Sequence, residues 1–240
     1  MSPIRYERDN ANIVTLIFDS PGSQVNTMST AWRAALGDVV GRLQSETIAG
    51  VILASAKKTF FAGAELNEII KLEEADGPRF FLEIEGIKKQ FRALERLGKP
   101  VVACINGAAL GGGWEVALCS HYRICLDDSS IQLGLPEVTL GLLPGTGGVT
   151  KMVRLLGLEK SFPYLVEGRL FGPREAAQLG LVHALAISLA EMLEQARRWI
   201  SEHPTVKQPW DEDSYRMPGA VDSSHASLNK HWPADKSASR

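Results

Sequence analysis

Hydrophobic positions change their period several times along the chain, and each change marks an element. From Asn12 to Phe18, β-branched and aromatic residues dominate, and Pro21-Gly22-Ser23 closes the stretch, which predicts a strand. Trp32, Leu36, Val39, Val40 and Leu43 then recur at helical spacing behind Ser29 and Thr30, either of which suits an N-cap. Val51-Ile52-Leu53-Ala54 is a continuous apolar run, suited to a strand covered on both faces. A second stripe, Phe81, Ile84, Ile87, Phe91, Leu94 and Leu97, predicts a core-facing helix that Gly98 and Pro100 terminate. Val101 to Ile105 reads as another buried strand, and Gly107 to Gly113 as a glycine-rich turn into the apolar helix Trp114 to Cys119. Short strands follow at Tyr122 to Leu126 and Ile131 to Leu133, then helices near Gly147 to Leu156, Pro173 to Leu179 and Leu189 to Ile200. Such alternation predicts an α/β architecture.

No Pro/Gly/Ser linker divides the first four fifths of the 240 residues, so one domain over 1–203 is expected. At His203-Pro204 the composition turns to Pro, Ser, Asp and Lys, which predicts a polar, largely irregular tail over 204–240. With 45% hydrophobic and 22% charged residues there is enough apolar material for a sizeable core, which argues against disorder. The formal net charge of −2 offers no surplus of cations for a nucleic-acid backbone or an anionic membrane, so neither is expected as a partner. Cys104, Cys119 and Cys125 lie in apolar stretches without a Cys-x-x-Cys spacing, which predicts buried thiols in a reducing compartment. Met1 to Asn10 is charged, and no apolar run approaches the ~20 residues of a membrane span, so a soluble cytoplasmic protein is expected.

Several familiar motifs are missing from a chain with 22 glycines. No Gly-x-Gly-x-x-Gly follows a strand, so no NAD is expected in the dinucleotide-binding manner. Gly-x-x-x-x-Gly-Lys-Ser/Thr, Gly-x-Ser-x-Gly and His-Glu-x-x-His are also missing, which leaves metal-dependent and nucleophilic catalysis without support. His203, His225 and His231 fall in the polar stretch, and His121 and His183 stand apart from acidic or cysteine partners, so surface or structural roles are expected.

What remains is Gly111-Gly112-Gly113-Trp114-Glu115, at the junction of a strand and a helix. Consecutive glycines let a backbone approach a ligand, and the amides that open a helix have no internal partners, so the run could stabilise a developing anion. The same run equally fits a tight turn or close helix packing. Phe60-Phe61-Ala62-Gly63-Ala64-Glu65-Leu66 could supply a second amide aimed at the same oxygen. Glu115 and Glu137, both in apolar surroundings, are the acid and base candidates, because burial raises a carboxyl pKa toward neutrality. A buried ion pair or a helix-start charge would explain either one without chemistry.

These segments, in order, resemble the enoyl-CoA hydratase/isomerase (crotonase) superfamily over roughly Ile4 to Leu185. The blocks are Phe60 to Leu66, Lys99-Pro100 through Glu115, Leu133-Gly134-Leu135-Pro136-Glu137 through Gly145, and Gly168-Arg169 with Glu175 to Val182. The resemblance implies a crotonase-like spiral of ββα turns with C-terminal helices, and an oxyanion hole formed by the N–H groups of Ala64 and Gly112. It implies that Glu115 orients and deprotonates the water that attacks C3, while Glu137 gives a proton to C2. Ala62, Gly63, Gly111, Trp114 and Pro136 would adjoin the substrate. The loop at Val25-Asn26-Thr27-Met28, with Asn26, and the lysines Lys57 and Lys58 would border the coenzyme A moiety, although these lysines equally fit a solvated turn. Trp114 stands where many relatives carry a smaller residue, which implies a reshaped or shortened acyl pocket. Glu65 replaces the commoner Asp and serves the same helix-start role.

The wording of Leu133 to Gly145, with Gln208-Pro209-Trp210-Asp211 and Met217-Pro218-Gly219, looks most like the N-terminal hydratase part of multifunctional fatty-acid oxidation proteins. Hydration of a 2-enoyl-CoA to a 3-hydroxyacyl-CoA in β-oxidation is the activity this implies. It needs no cofactor and no metal, coenzyme A being part of the substrate, and the implied assembly is a homo-oligomer, a trimer or trimer-based. A 3,2-enoyl-CoA isomerase, or a CoA-ester-binding protein with little turnover, are the alternatives.

Overall fold

The computed structural model describes residues 1–219. In chain order the first half runs β1 (Ile4–Arg8), β2 (Ile13–Phe18), α1 (Thr30–Ser45), β3 (Gly50–Ser55), α2 (Leu66–Ile69), α3 (Gly77–Glu95) and β4 (Val101–Ile105). The second half runs β5 (Ala109–Leu110), α4 (Gly112–Leu118), β6 (Tyr122–Leu126), β7 (Leu133–Gly134), α5 (Gly148–Leu156), α6 (Leu158–Val166), α7 (Pro173–Gln178), β8 (Ala184–Ala186) and α8 (Leu189–Glu202). Six strands form one sheet in the order β1-β2-β3-β4-β6-β8, parallel throughout except where β1 joins β2.

The apolar runs explain this sheet. Ile52, Val102, Cys104 and Ile124 face α8, where Met192, Ala196 and Ile200 cover them. Their neighbours Val51, Leu53, Val101, Ala103 and Ile105 face the opposite way, into the larger core shared with α1, α3 and α4. A parallel strand buried on both faces has no polar positions to offer, so the sequence shows no alternation there. On the larger side Phe18, Trp32, Phe60, Phe61 and Phe91 pack edge-to-face, with Trp32 and Phe61 centroids 5.0 Å apart.

Each turn of the chain also adds a rung to a second, smaller layer. Met28 pairs with Ala64, Phe61 with Ala109, Ala109 and Leu110 with Leu133 and Gly134, and Leu133 with Phe171. The staircase carries the chain from the end of one large-sheet strand to the start of the next helix, and this is where the glycine-rich segments lie.

Ser29 caps α1 by accepting from Trp32 N, so Thr30 is the first helical residue instead. The stripe expected on α3 buries Ile87, Phe91 and Leu94, but Phe81 is 62% exposed. The strand expected at Ile131 to Leu133 occupies Leu133–Gly134. β1, β5, α6 and β8 go beyond the sequence reading: β1 is a charged edge strand, β5 has two residues, β8 has three residues, and α6 contains Pro163. The three cysteines are free and buried. No helix among the described residues is long and apolar enough to cross a membrane.

After α8 the chain, through residue 219, is irregular apart from one 3₁₀ turn at Pro209–Asp211, yet it lies against the body. Gln208 is buried and donates to the carbonyls of Cys119 and Ser120, Asp211 pairs with Arg92, and the Tyr215 hydroxyl donates to the Arg154 carbonyl. The rest of the expected tail, with His225 and His231, lies outside the described residues.

Candidate active site

A cavity of about 460 Å³ opens between α2 and α3 on one side and the 137–146 segment on the other. Ile69, Leu72, Phe80, Ile84, Ile87 and Leu142 give it an apolar wall. Ala64, Gly112, Glu115 and Glu137 all reach its lining, so four of the residues singled out by sequence meet in one place.

The glycine run fits both readings of it, one residue at a time. Gly111 has φ +54°, a conformation that L side chains rarely adopt, and a Cβ there would stand 2.8 Å from Oε1 of Glu137. A Cβ on Gly113 would lie 2.1 Å from the carbonyl oxygen of Phe61, so this glycine serves close packing of helix on strand. Between them Gly112 opens α4, ahead of the bonds that Trp114 N and Glu115 N donate to Gly111 O, and its N–H has no partner within the helix. Gly63, at φ +103°, brings the Gly63–Ala64 segment against this turn: its missing Cβ would be 3.6 Å from Gly112 N.

Glu115 is 2% exposed, and its carboxylate accepts from Thr146 N at 2.8 Å, from Gly148 N at 2.7 Å and from the Thr146 hydroxyl. Three donors from one loop suit an acceptor carboxylate and fix its plane. Glu137 is differently placed. It starts a 3₁₀ turn over Glu137–Leu140, is half-buried, and its Oε2 is buried without a hydrogen-bond partner among the described residues. Burial pushes its carboxyl up to about 7, helped by the nearby Glu115 charge and opposed by a bond from its own backbone N–H. One acidic group near neutrality and one tightly held carboxylate therefore face a common apolar cavity, an arrangement able to give and take protons at adjacent atoms.

Trp114, Asn26, Ala62, Pro136, Lys57 and Lys58 do not line the cavity, whereas Met28 and Glu65 do. Trp114 is fully buried, with its ring edge-on to Phe171 and its indole N–H directed at the Met152 sulfur, so it fills the core and does not shorten the pocket. Asn26 is buried as a strut, accepting from Ser20 N and donating to Ser55 Oγ and to the carbonyls of Phe18 and Phe60. Ala62 N donates to Asn26 O, and Pro136 O accepts from Thr139. Lys57 pairs with Asp19 at 2.8 Å, and Lys58 is exposed with its carbonyl packed under Gly107. Glu65 caps α2 and accepts from the Thr27 hydroxyl.

Thr146 and Gly148 escaped the sequence reading, although the run Gly145-Thr146-Gly147-Gly148 before a helix repeats the signal that singled out residues 111–113. The histidines take structural places: His121 Nδ1 accepts from Val101 N, and His183 Nδ1 accepts from Arg123 N.

A family model described as enoyl-CoA hydratase/isomerase matches residues 8–209. The chain is similar to the fatty acid oxidation complex subunit alpha of Idiomarina loihiensis, with 37% identity over 72% of this chain, and to that of Shewanella amazonensis, with 36% over 84%. It spans only 24% and 29% of those two proteins, about a quarter of their length. Among solved structures, an enoyl-CoA hydratase from Bacillus anthracis superposes with a TM-score of 0.74 at 30% identity, covering 83% of this chain and 76% of that one. One from Geobacillus kaustophilus gives 0.76 at 25%, covering 85% and 75%.

Proposed function

The chain belongs to the enoyl-CoA hydratase/isomerase family, and on that premise we propose that it adds water across the 2,3-double bond of a 2-enoyl-CoA thioester. The product is a 3-hydroxyacyl-CoA, as in fatty-acid β-oxidation. In this reading the N–H groups of Ala64 and Gly112 hold the thioester oxygen as it gains charge. Glu115 takes a proton from the water whose oxygen bonds to C3, and Glu137 gives its proton to C2. The cycle leaves the proton on Glu115 in place of Glu137, and exchange with solvent resets the pair.

The observation that carries the reading is the contrast between two carboxyls on one cavity, with Glu137 pushed up to about 7 and Glu115 held by three donors. Two such groups suit hydration, which needs a base for water and an acid for carbon, better than a proton shift through one acid alone. The apolar wall from Ile69, Leu72, Phe80 and Ile84 suits an acyl chain. The reaction calls for no cofactor or metal, since coenzyme A arrives with the substrate. Crotonase-fold enzymes act on acyl-CoA thioesters and are typically oligomeric, and we extend this to a trimer-based assembly working in the cytoplasm.

The test is hydration of crotonyl-CoA and longer 2-enoyl-CoA thioesters by the purified chain, followed by loss of the conjugated chromophore. Formation of 3-hydroxyacyl-CoA is the expected result. Conversion of a 3-enoyl thioester without hydration of the 2-enoyl one, or tight binding with no turnover, would replace this reading.

A further inference from the structure

Behind the loop that holds Glu115 lies a buried ion pair for which the proposed chemistry has no use. Lys151, in the first turns of α5, is 7% exposed, and its Nζ stands 2.7 Å from Oε1 of Glu95, itself 3% exposed, at the end of α3. Taking two charges out of water is costly, and apolar side chains of similar volume would pack there without that cost.

The position of the ammonium suggests what it does. Lys151 folds back under the loop, so that a Cβ on Gly147 would lie 3.7 Å from its Cε and 3.9 Å from its Nζ. Gly147, at φ +112°, is the residue between Thr146 and Gly148, whose N–H groups donate to Glu115. The ammonium therefore supports the loop midway between the two donors. It is fixed in turn: the Phe91 ring lies 5.5 Å away, and Oε2 of Glu95 takes a bond of 2.7 Å from Arg92, which also pairs with Asp211.

We propose that Lys151 and Glu95 are positioning residues, holding the 146–148 loop so that its amides set the plane of the Glu115 carboxylate. The inference rests on the role assigned to Glu115 above, and it predicts a dependence that plain support of the fold would not give: the effect of Lys151 on turnover should pass through Glu115.

The test is a double-mutant cycle in the full chain, with Lys151→Met, Lys151→Arg, Glu115→Gln and the Lys151→Met/Glu115→Gln double variant assayed on crotonyl-CoA. Hydrogen exchange of the Thr146 and Gly148 amides is followed in parallel. Lys151→Met is expected to lower kcat about 10- to 100-fold, the scale of a misplaced catalytic group, with KM within about twofold. Lys151→Arg should restore most of the loss. On the Glu115→Gln background the same change should cost less than about twofold, because the group it acts through is already disabled. Exchange at the two amides should rise at least about tenfold in Lys151→Met as the local structure loosens. An equal loss of kcat on both backgrounds, or unchanged exchange at Thr146 and Gly148 in a folded variant, overturns the proposal. If Lys151→Met does not fold, Glu95→Gln, which keeps a bond to Arg92, goes through the same cycle with the same deciding outcomes. Faster exchange without any hydration by the parent chain would support the positioning and sink the assigned activity alone.

Discussion

Two glutamates face one cavity from opposite kinds of surroundings. Glu115 sits in the first turn of α4, buried at the lining of the cavity, with both oxygens occupied by a loop that arrives some thirty residues later in the chain. Glu137 starts a short 3₁₀ turn on the other side, half open, with one buried oxygen that no described donor reaches. A carboxyl with donors is held in place, whereas one with burial and a like charge nearby is driven to keep its proton. The difference teaches that the task of each residue is set by its neighbours, since the side chains are chemically the same.

The comparison breaks most directly by removing either acid. Glu115→Gln and Glu137→Gln should each lower kcat at least ~10²-fold while the fold survives, as read by turnover and circular dichroism. Near-normal turnover in either variant would end the two-carboxyl account. Disturbing the held glutamate without deleting it should do less. A Cβ at Gly148 would meet Cγ and Oε1 of Glu115 at 3.0 Å, so Gly148→Ala should cost about 10-fold or somewhat more in kcat with little change in KM. Thr146→Val removes the hydroxyl donor and keeps the amide, so a loss of about fivefold is expected, on the scale of one hydrogen bond.

The smallest effect concerns stability and only Glu137. Its folded-state pKa of about 7 lies above the ordinary 4.5, so the native state keeps a proton that the unfolded chain releases as pH rises through that window. The stability this gives is complete below about 4.5 and is lost by about 7. Glu137→Gln cannot lose it, so the melting temperature of that variant should gain on the parent between pH 5 and pH 8. Discounted for partial exposure, the gain is on the order of 1 kcal/mol, about 2–4 °C. A constant difference across the range would show that Glu137 is not held protonated.

Much of this was legible in the sequence where one cause governs many neighbouring residues. β4 could be read at both ends because each of its five residues is buried, and α1 because its buried positions repeat every three or four residues behind a serine cap. Four pieces were hidden for identifiable reasons, one of them β5, whose two residues lie inside a glycine-rich stretch that reads as a turn. β1 is an edge strand with three charged residues in five, α6 continues through a proline, and β8 is too short to carry a pattern. Within the site, Glu115 and Glu137 stood out as acids in apolar surroundings. Thr146 and Gly148 did not, because a donor's value depends on which carboxylate lies opposite, and that is a tertiary fact. Trp114 misled for the same reason: its place in the sequence beside Glu115 says nothing of its direction, and the helix turns its ring into the core toward Phe171 and Met152.

The staircase of the second layer has a consequence for how the molecule comes into being. Its rungs join Met28 to Ala64, Phe61 to Ala109 and Leu133 to Phe171, so every wall of the cavity is contributed by a separate stretch of synthesis. A nascent chain must expose Gly148 before Glu115 meets all of its donors, and Phe171 before the last rung closes. A fragment that ends short of Gly148 therefore lacks one of the donors that hold Glu115, however well its early strands have assembled.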